Sequence, residues 1–556
     1  MANPAQQNTA RPGFWPRLWP WLLVAAVVLF VGAVRVRLLD VPLERDEGEY
    51  AYLGQLMWQG IPPYELVYTM KLPGTAFVYM LGMALFGETP AGVHLTLLVA
   101  NSLTIVFVFL LGRRLGGDIS GAAAAASYGV MSVCPAVVGL AAHATHFVVL
   151  FAVPAVWLLV RAPEQRRAGT LLLSGLLFGM AFLMKQQGGC FGLFAVVYLA
   201  AEAWRNGEWF SGASARRMLA LGTGLAVPLV LTGVVLAWAG VFGRFWFWTV
   251  SYARLYENTV TLREGFAVHL MDHLRQTRDL SIGLWILAAA GLLAGWRAKA
   301  LRPAMIFALA FWLFSFLGTA AGLYFRGHYF ILLLPAFAVL LGLGMAALQQ
   351  AMPATIFPDV FRSLPPIAFG MILAWMIFYN ATLFFQWPID KVCGQLYREN
   401  PFREAVAAAS QIQEHSTPAA RVAVIGSEPE IYFYARRHSA TGYIYTYPLM
   451  EAQPYALVMQ REMAREIESA RPEYLIDVPY QLSWLRQPGS SHFLDDWFRN
   501  YAGKFYERVG TAGFSRDGTL TSLWGADATN TSRLDGQCLG IYQRRPEADG
   551  KPDSAK

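Results

Sequence analysis

Between Leu43 and Gly74 the chain reads LERDEGEYAYLGQLMWQGIPPYELVYTMKLPG, which sets adjacent carboxylates at Asp46 and Glu47 beside Arg45 and carries Lys71 near its end. A positioned carboxylate can take the proton of a hydroxyl that attacks an electrophilic centre. The same pair in a first helical turn also complements the helix dipole, so adjacency alone leaves catalysis and capping both open. Lys71, Lys185 in MKQQGG, and Arg326 with His328 in YFRGHYF stand at the ends of apolar segments. Cations are costly there and point to an anionic partner, unless they are side chains snorkelling to the interface. In AAHATHF, His143 and His146 lie three apart and can share a helix face, where they would bind a metal, donate to an anion or cap the turn. Arg244 and Arg254 sit in the aromatic run GRFWFWTVSYARLYEN, which reads either as a groove wall or as an interfacial belt.

These residues are held by a membrane chain. Of 556 residues, 56% are hydrophobic and only 15% charged, against about a quarter charged in soluble domains. The net charge of +7 comes from basic residues scattered as short clusters between apolar runs, which excludes a nucleic-acid footprint and reads as topology signals. Arg11 and Arg17 precede an apolar run from Trp19 to Val34 with no small-residue cleavage site, read as a retained first span. Further apolar segments fall at about 93–112, 119–141, 145–160, 169–184, 189–203, 218–241, 280–296, 303–322, 329–349 and 366–385, so about eleven spans are expected.

The segment Leu72–Phe86 decides the orientation. If it lies in the interface, one side receives Arg113 and Arg114, Arg161 with Arg166 and Arg167, Arg205 with Arg216 and Arg217, and Arg297 with Lys299 and Arg302. Basic short loops are cytoplasmic, which puts the opening stretch, the His143 turn, Lys185, Arg326 and the tail on the outer face. In that stretch Tyr50, Leu53, Leu56 and Met57 have helical spacing, as in a helix lying on the interface. From about residue 390 the charge density rises, and RVAVIG, EYLIDV and LGIYQR are short β-rich runs separated by helical patterns. This predicts a transmembrane part over 1–389 and an outer α/β domain over 390–556, with a polar, disordered last ten residues. No dinucleotide fingerprint and no internal repeat occur. Cys134 and Cys190 read as buried thiols in spans; Cys393 and Cys538 bracket the domain and would pair in an oxidising compartment.

The Arg-Asp-Glu-x-x-Tyr-Ala start of the first outer loop, the MKLPG turn, GRRLGG, FRGHYFILLLPAFAVL and GSEPEIYFYARR together resemble the GT-C superfamily of membrane glycosyltransferases. The likeness is to family 39 members related to protein O-mannosyltransferases and the lipid A aminoarabinose transferase, and it covers most of the chain. It implies an α-helical polytopic fold with interfacial helices in the first outer loop, in a bacterial inner membrane, with the site and the α/β domain on the periplasmic side. It also implies single-sugar transfer, with inversion, from a polyprenyl-phosphate donor to a glycan, lipid or protein acceptor. In its terms Asp46 matches the base and Glu47 supports it. Lys71, Lys185, Arg326 and His328 meet the donor phosphate, and Arg45, Tyr50, His143, His146, Arg244 and Arg254 line the substrate groove. Lys71 departs from the relatives' Lys-Pro-Pro, being followed by Leu72 and Pro73, and the turn where many relatives carry a second acid holds the two histidines. No cofactor is therefore expected, a divalent metal being the alternative. A lipid-linked glycan ligase and a flippase of lipid-linked sugars are the rival functions; the second would need polar residues in the middle of interrupted spans.

Overall fold

The computed structural model describes residues 14–165, 168–257, 259–352 and 358–546. Arg11, Arg166, Arg167 and the last ten residues, all used above, lie outside them. The first long apolar segment forms α1 (Phe14–Arg37), and the opening stretch forms α2 (Arg45–Trp58) and α3 (Gly74–Phe86). At about 1.5 Å per residue, the 13 residues of α3 span roughly 20 Å, short of a hydrocarbon core of about 30 Å. That length accords with an interfacial position.

A 43-residue helical stretch, α4 (Pro90–Ser132), contains one break, at Gly117 with φ 82°. The two arms fold back on each other: Asn101 reaches the Tyr128 hydroxyl at 3.3 Å and accepts from Ser132 at 3.2 Å. A left-handed φ is available to glycine without a Cβ penalty, so GRRLGG makes a tight turn between two helical arms, at the place where the sequence separates the apolar segments 93–112 and 119–141. The remaining long helices are α5 (Ala144–Gln165), α6 (Ala168–Met184), α7 (Gly189–Arg205), α8 (Gly212–Trp238), α9 (Met271–Arg297), α10 (Arg302–Ala320), α11 (Leu334–Gln350) and α12 (Asp359–Phe385). Among the described residues seven helices, the hairpin counted once, are long and apolar enough to cross a membrane. Between α8 and α9 the chain does not form one helix: the aromatic run includes a π-helical turn, Phe247–Tyr252, and a second, Gly265–Leu270, follows it.

Beyond α12 a six-stranded sheet forms, with order β2-β1-β3-β6-β4-β5. Its strands are β1 (Arg421–Ile425), β2 (His438–Ser439), β3 (Tyr474–Asp477), β4 (Tyr506–Ser515), β5 (Leu520–Trp524) and β6 (Leu534–Arg544). The first three are parallel; β3 then pairs antiparallel with β6. Ile425 and Asp477 end β1 and β3 in register, so their carboxyl ends form one edge. The expected disulfide is absent: Cys393 and Cys538 are both free. Cys393 is buried on the helix Ile389–Tyr397, whereas Cys538 lies on β6 against Arg508, 3.6 Å from its guanidinium.

This C-terminal domain, the outer domain of the sequence expectation, sits directly on α2. Tyr52 stacks on Tyr432 at 5.1 Å and its hydroxyl accepts from the Ser439 amide at 2.7 Å; Leu43 donates to the Tyr434 hydroxyl at 2.9 Å. Consequently α2 is not a helix with a wet face, as its periodicity suggests. Every residue from Arg45 to Leu56 is buried except Asp46.

Candidate active site

A cavity of about 240 Å³ lies between α2, the ends of the membrane helices and the outer domain. Asp46 opens into it from the first turn of α2, whose start is fixed by a reciprocal cap: Glu44 accepts from the Glu47 amide at 3.0 Å and Glu47 from the Glu44 amide at 3.1 Å. Lys71 enters from the turn before α3, Lys185 from the end of α6, and Arg326 with His328 from the segment before α11. Four stretches, the furthest apart being those of Asp46 and His328, thus meet around one carboxylate. Tyr50 also lines the cavity, with its ring 4.6 Å from the Lys71 ammonium.

Lys71 Nζ lies 2.7 Å from Asp46 Oδ1 and 2.5 Å from Glu49 Oε2. Burial alone would raise the Asp46 carboxyl, but Lys71 outweighs it and holds the group well below the usual carboxylate range. The same pairing overcomes burial at Lys71, whose amine is held well above its ordinary value. Lys185 has no carboxylate in ion-pair range among the described residues and rests on the Tyr329 ring at 4.0 Å. Burial first, and then the nearby Lys71 and Arg326, lower its amine to about 7. Arg326 donates to the Tyr256 hydroxyl at 3.2 Å and remains exposed.

His143 and His328 stack at 4.0 Å with an interplanar angle of 15°, and His143 Nδ1 lies 3.8 Å from Asp46 Oδ2. Burial lowers both imidazoles, His143 to about 4, so they are neutral at pH 7 and Lys71 supplies the charge that keeps Asp46 ionised. Donor atoms of Asp46, His143 and His328 lie within 4.8 Å of one another. A metal is bound in the plane of an imidazole, at about 2.1 Å from its nitrogen. Two nearly parallel rings 4.0 Å apart cannot both satisfy that, so the donor set does not fit a metal unless the stack separates.

Several expected groove residues stand elsewhere. Glu47 is fully buried, 3.1 Å from His94 and accepting from the Ala142 amide at 2.5 Å, so it fastens α2 to the hairpin and the His143 turn without reaching the cavity. Arg45 is committed to Glu428 at 2.8 Å and the Ser427 carbonyl at 2.5 Å, joining α2 to the outer domain. His146 turns away to the Gly139 carbonyl at 3.1 Å, so the two histidines do not act as a pair. Arg254 is exposed and outside the lining; Arg244 stays behind it, 5.4 Å from the ring of Tyr68, which does line the cavity.

The cavity also contains groups that sequence reasoning missed. Glu49 completes the Lys71 ion pairs; its spacing three beyond Asp46, one helical turn, was the available signal. Tyr445, Tyr447 and Glu451 come from the outer domain, and no local pattern marked them. Burial lifts Glu451 to about 6, and it accepts a short hydrogen bond from Tyr252 across the cavity.

Residues 70–238 match the family model described as dolichyl-phosphate-mannose-protein mannosyltransferase, a stretch that contains Lys71, His143 and Lys185 but not Asp46. An undecaprenyl phosphate-alpha-4-amino-4-deoxy-L-arabinose arabinosyl transferase of Pseudomonas paraeruginosa is 32% identical over 249 residues, 41% of this chain and 42% of that one. The protein of the same description from Pseudomonas aeruginosa (strain LESB58) is 33% identical over 222 residues, 36% of this chain and 38% of that one. The chain thus spans about two fifths of the length of the curated relatives it matches. Over its whole length it is similar to ArnT from Cupriavidus metallidurans, solved with undecaprenyl phosphate, at a TM-score of 0.58 and 18% identity, covering 96% of this chain and 99% of that one. It is also similar to the archaeal oligosaccharyltransferase AglB from Archaeoglobus fulgidus, at 0.51 and 12%, covering 96% and 77%. The chain is a multi-pass membrane protein of the GT-C fold, related in sequence to the aminoarabinose transferases and the protein O-mannosyltransferases.

Proposed function

We propose that the chain is a glycosyltransferase that moves a single sugar, with inversion, from a polyprenyl phosphate to an acceptor hydroxyl at the outer face of a bacterial inner membrane. Residues 1–389 would carry the reaction, and 390–556 would form the periplasmic wall of the site. The observation that carries the reading is the meeting of Asp46 with Lys71, Lys185 and Arg326 in one cavity. The acceptor hydroxyl attacks the anomeric carbon, the bond from that carbon to the phosphate oxygen breaks, and the proton passes to Asp46. The phosphate leaves as an anion and needs no proton, so one carboxylate suffices. Lys71, Lys185 and Arg326 meet the phosphate charge, with His328 at the same wall. As a phosphate engages Lys71, the charge that holds Asp46 low is shared, and the carboxylate becomes a better base. His143 acts on Asp46 from behind, and Glu47 and Arg45 hold α2 in position.

The test is sugar transfer by purified protein from a panel of polyprenyl-phosphate sugars. Turnover with one donor that disappears in Asp46→Asn, while undecaprenyl phosphate still binds, is the expected result. A native protein that transfers nothing from any donor would overturn the reading.

A further inference from the structure

A second, larger cleft of about 850 Å³ opens on the outer domain at the carboxyl ends of β1 and β3, where Ile425 and Asp477 lie side by side. In sheets with parallel strands that edge is where ligands settle. The cleft adjoins the catalytic cavity: Leu485 lines both, and is 41% exposed in a left-handed conformation with φ 46°.

The lining indicates the chemistry of the occupant. Its two acids, Asp477 and Asp495, balance its two arginines, Arg486 and Arg499. Both guanidinium groups are already committed, Arg486 to Asp495 at 2.6 Å and Arg499 to Asp496 at 2.6 Å, so no cation is held ready for a phosphate. The Asp477 carboxylate feels the positive charge of nearby Arg508 but makes no side-chain hydrogen bond and no ion pair among the described residues, and the side chains of Gln481 and Gln537 are exposed. Tyr542 and Phe498 add aromatic surface. A neutral lining with an unused carboxylate, free amides and aromatic rings suits a ligand with many hydroxyls and apolar C–H faces. Ligand pockets run to about 300–1,000 Å³, so the cleft is large enough for several sugar units.

We propose that this cleft holds the saccharide part of the acceptor and directs it past Leu485 to Asp46. The proposal rests on the transferase reading for the word acceptor, but the binding itself does not.

The experiment uses the full chain in nanodiscs, without donor, and measures binding of maltotriose, mannotriose and chitotriose by saturation-transfer NMR and calorimetry. Saturable binding of at least one trisaccharide is expected, weakened at least fivefold in Asp477→Asn and in Gln481→Ala, both variants keeping the native melting temperature and native affinity for undecaprenyl phosphate. Absence of saturable binding, equal binding by both variants, or displacement by inorganic phosphate would each overturn the proposal. Saccharide binding in a chain that transfers from no donor would uphold the cleft and sink the transferase reading. Transfer with an acceptor KM unchanged in Asp477→Asn would sink the cleft alone.

Discussion

Lys71 Nζ bridges Asp46 at 2.7 Å and Glu49 at 2.5 Å, so one ammonium neutralises part of two carboxylates in a half-closed cavity. With no phosphate present, this pairing keeps Asp46 ionised without leaving a bare charge beside a membrane. An arriving anion would compete with those carboxylates for Lys71, which under the proposed function would couple donor binding to the basicity of Asp46. Asp46 and Glu47, neighbours in sequence, thus have different partners, Lys71 for the first and His94 with the Ala142 amide for the second.

Asp46→Asn is expected to lower transfer by about 10²- to 10⁴-fold, the usual contribution of a positioned base, with affinity for undecaprenyl phosphate preserved. Glu47→Gln, in contrast, weakens the contacts to His94 and the Ala142 amide and is expected to lower the melting temperature while the surviving folded protein keeps its turnover. Turnover and thermal unfolding of the two variants decide between the roles. Full activity in Asp46→Asn would exclude it as the base.

Under the proposed function, Lys185 would make donor binding depend on pH. Its amine is lowered to about 7, so it is charged below that pH and neutral above. A bound phosphate favours the charged form, so binding takes up a proton and affinity for undecaprenyl phosphate should fall as pH rises from 7 to 9. Lys185→Gln should remove most of that slope. For stability the sign is opposite: between about 7 and about 10.4 the unfolded chain holds a proton on this amine that the folded chain lacks. The Lys185 contribution therefore becomes less unfavourable as pH rises through that window, which titrations of unfolding in the native protein and Lys185→Gln would resolve.

How far the site was legible follows from what kind of signal each residue leaves. Lys71, Lys185 and Arg326 could be found because a charge at the end of an apolar helix is rare, and the cavity gathers all three. Asp46 is marked in the sequence by the family resemblance and by its place in a first helical turn. Glu47 and Arg45 share that local pattern, yet point to His94 and Glu428, because a helix start sends successive side chains in different directions. The partner of His143 was misread for a related reason: spacing suggested His146, but the stacking partner is His328, brought in by tertiary packing 185 positions away. The outer-domain wall, Tyr445 to Glu451, leaves no periodic signature at all.

Removal of divalent metal should leave transfer unchanged. The stacked His143 and His328 rings face each other where a metal would need converging nitrogens, and the cations already present can compensate the leaving phosphate. Turnover after EDTA treatment is expected within twofold of the untreated protein. A loss restored by zinc or manganese would mean that the ring stack opens and that Asp46 is a ligand.

At Gly48, α2 packs tightly against the outer domain. A Cβ on Gly48 would lie 2.5 Å from Glu430 Cβ, 2.7 Å from its amide nitrogen and 2.8 Å from its Cα, contacts that only a backbone shift relieves. Glycine in a helix costs about 1 kcal/mol relative to alanine, so Gly48→Ala would stabilise an isolated α2. In the folded protein the steric cost reverses that sign, because the added methyl pushes α2 away from the wall that supports Tyr445 and Tyr447. Gly48→Ala is therefore expected to unfold at lower temperature and to lose transfer more than tenfold, whereas Gly60→Ala, with open space around its Cβ position and φ 83°, should lower the melting temperature slightly and keep transfer. Equal melting temperatures and turnover in Gly48→Ala and the native protein would show that the two layers are not packed this closely.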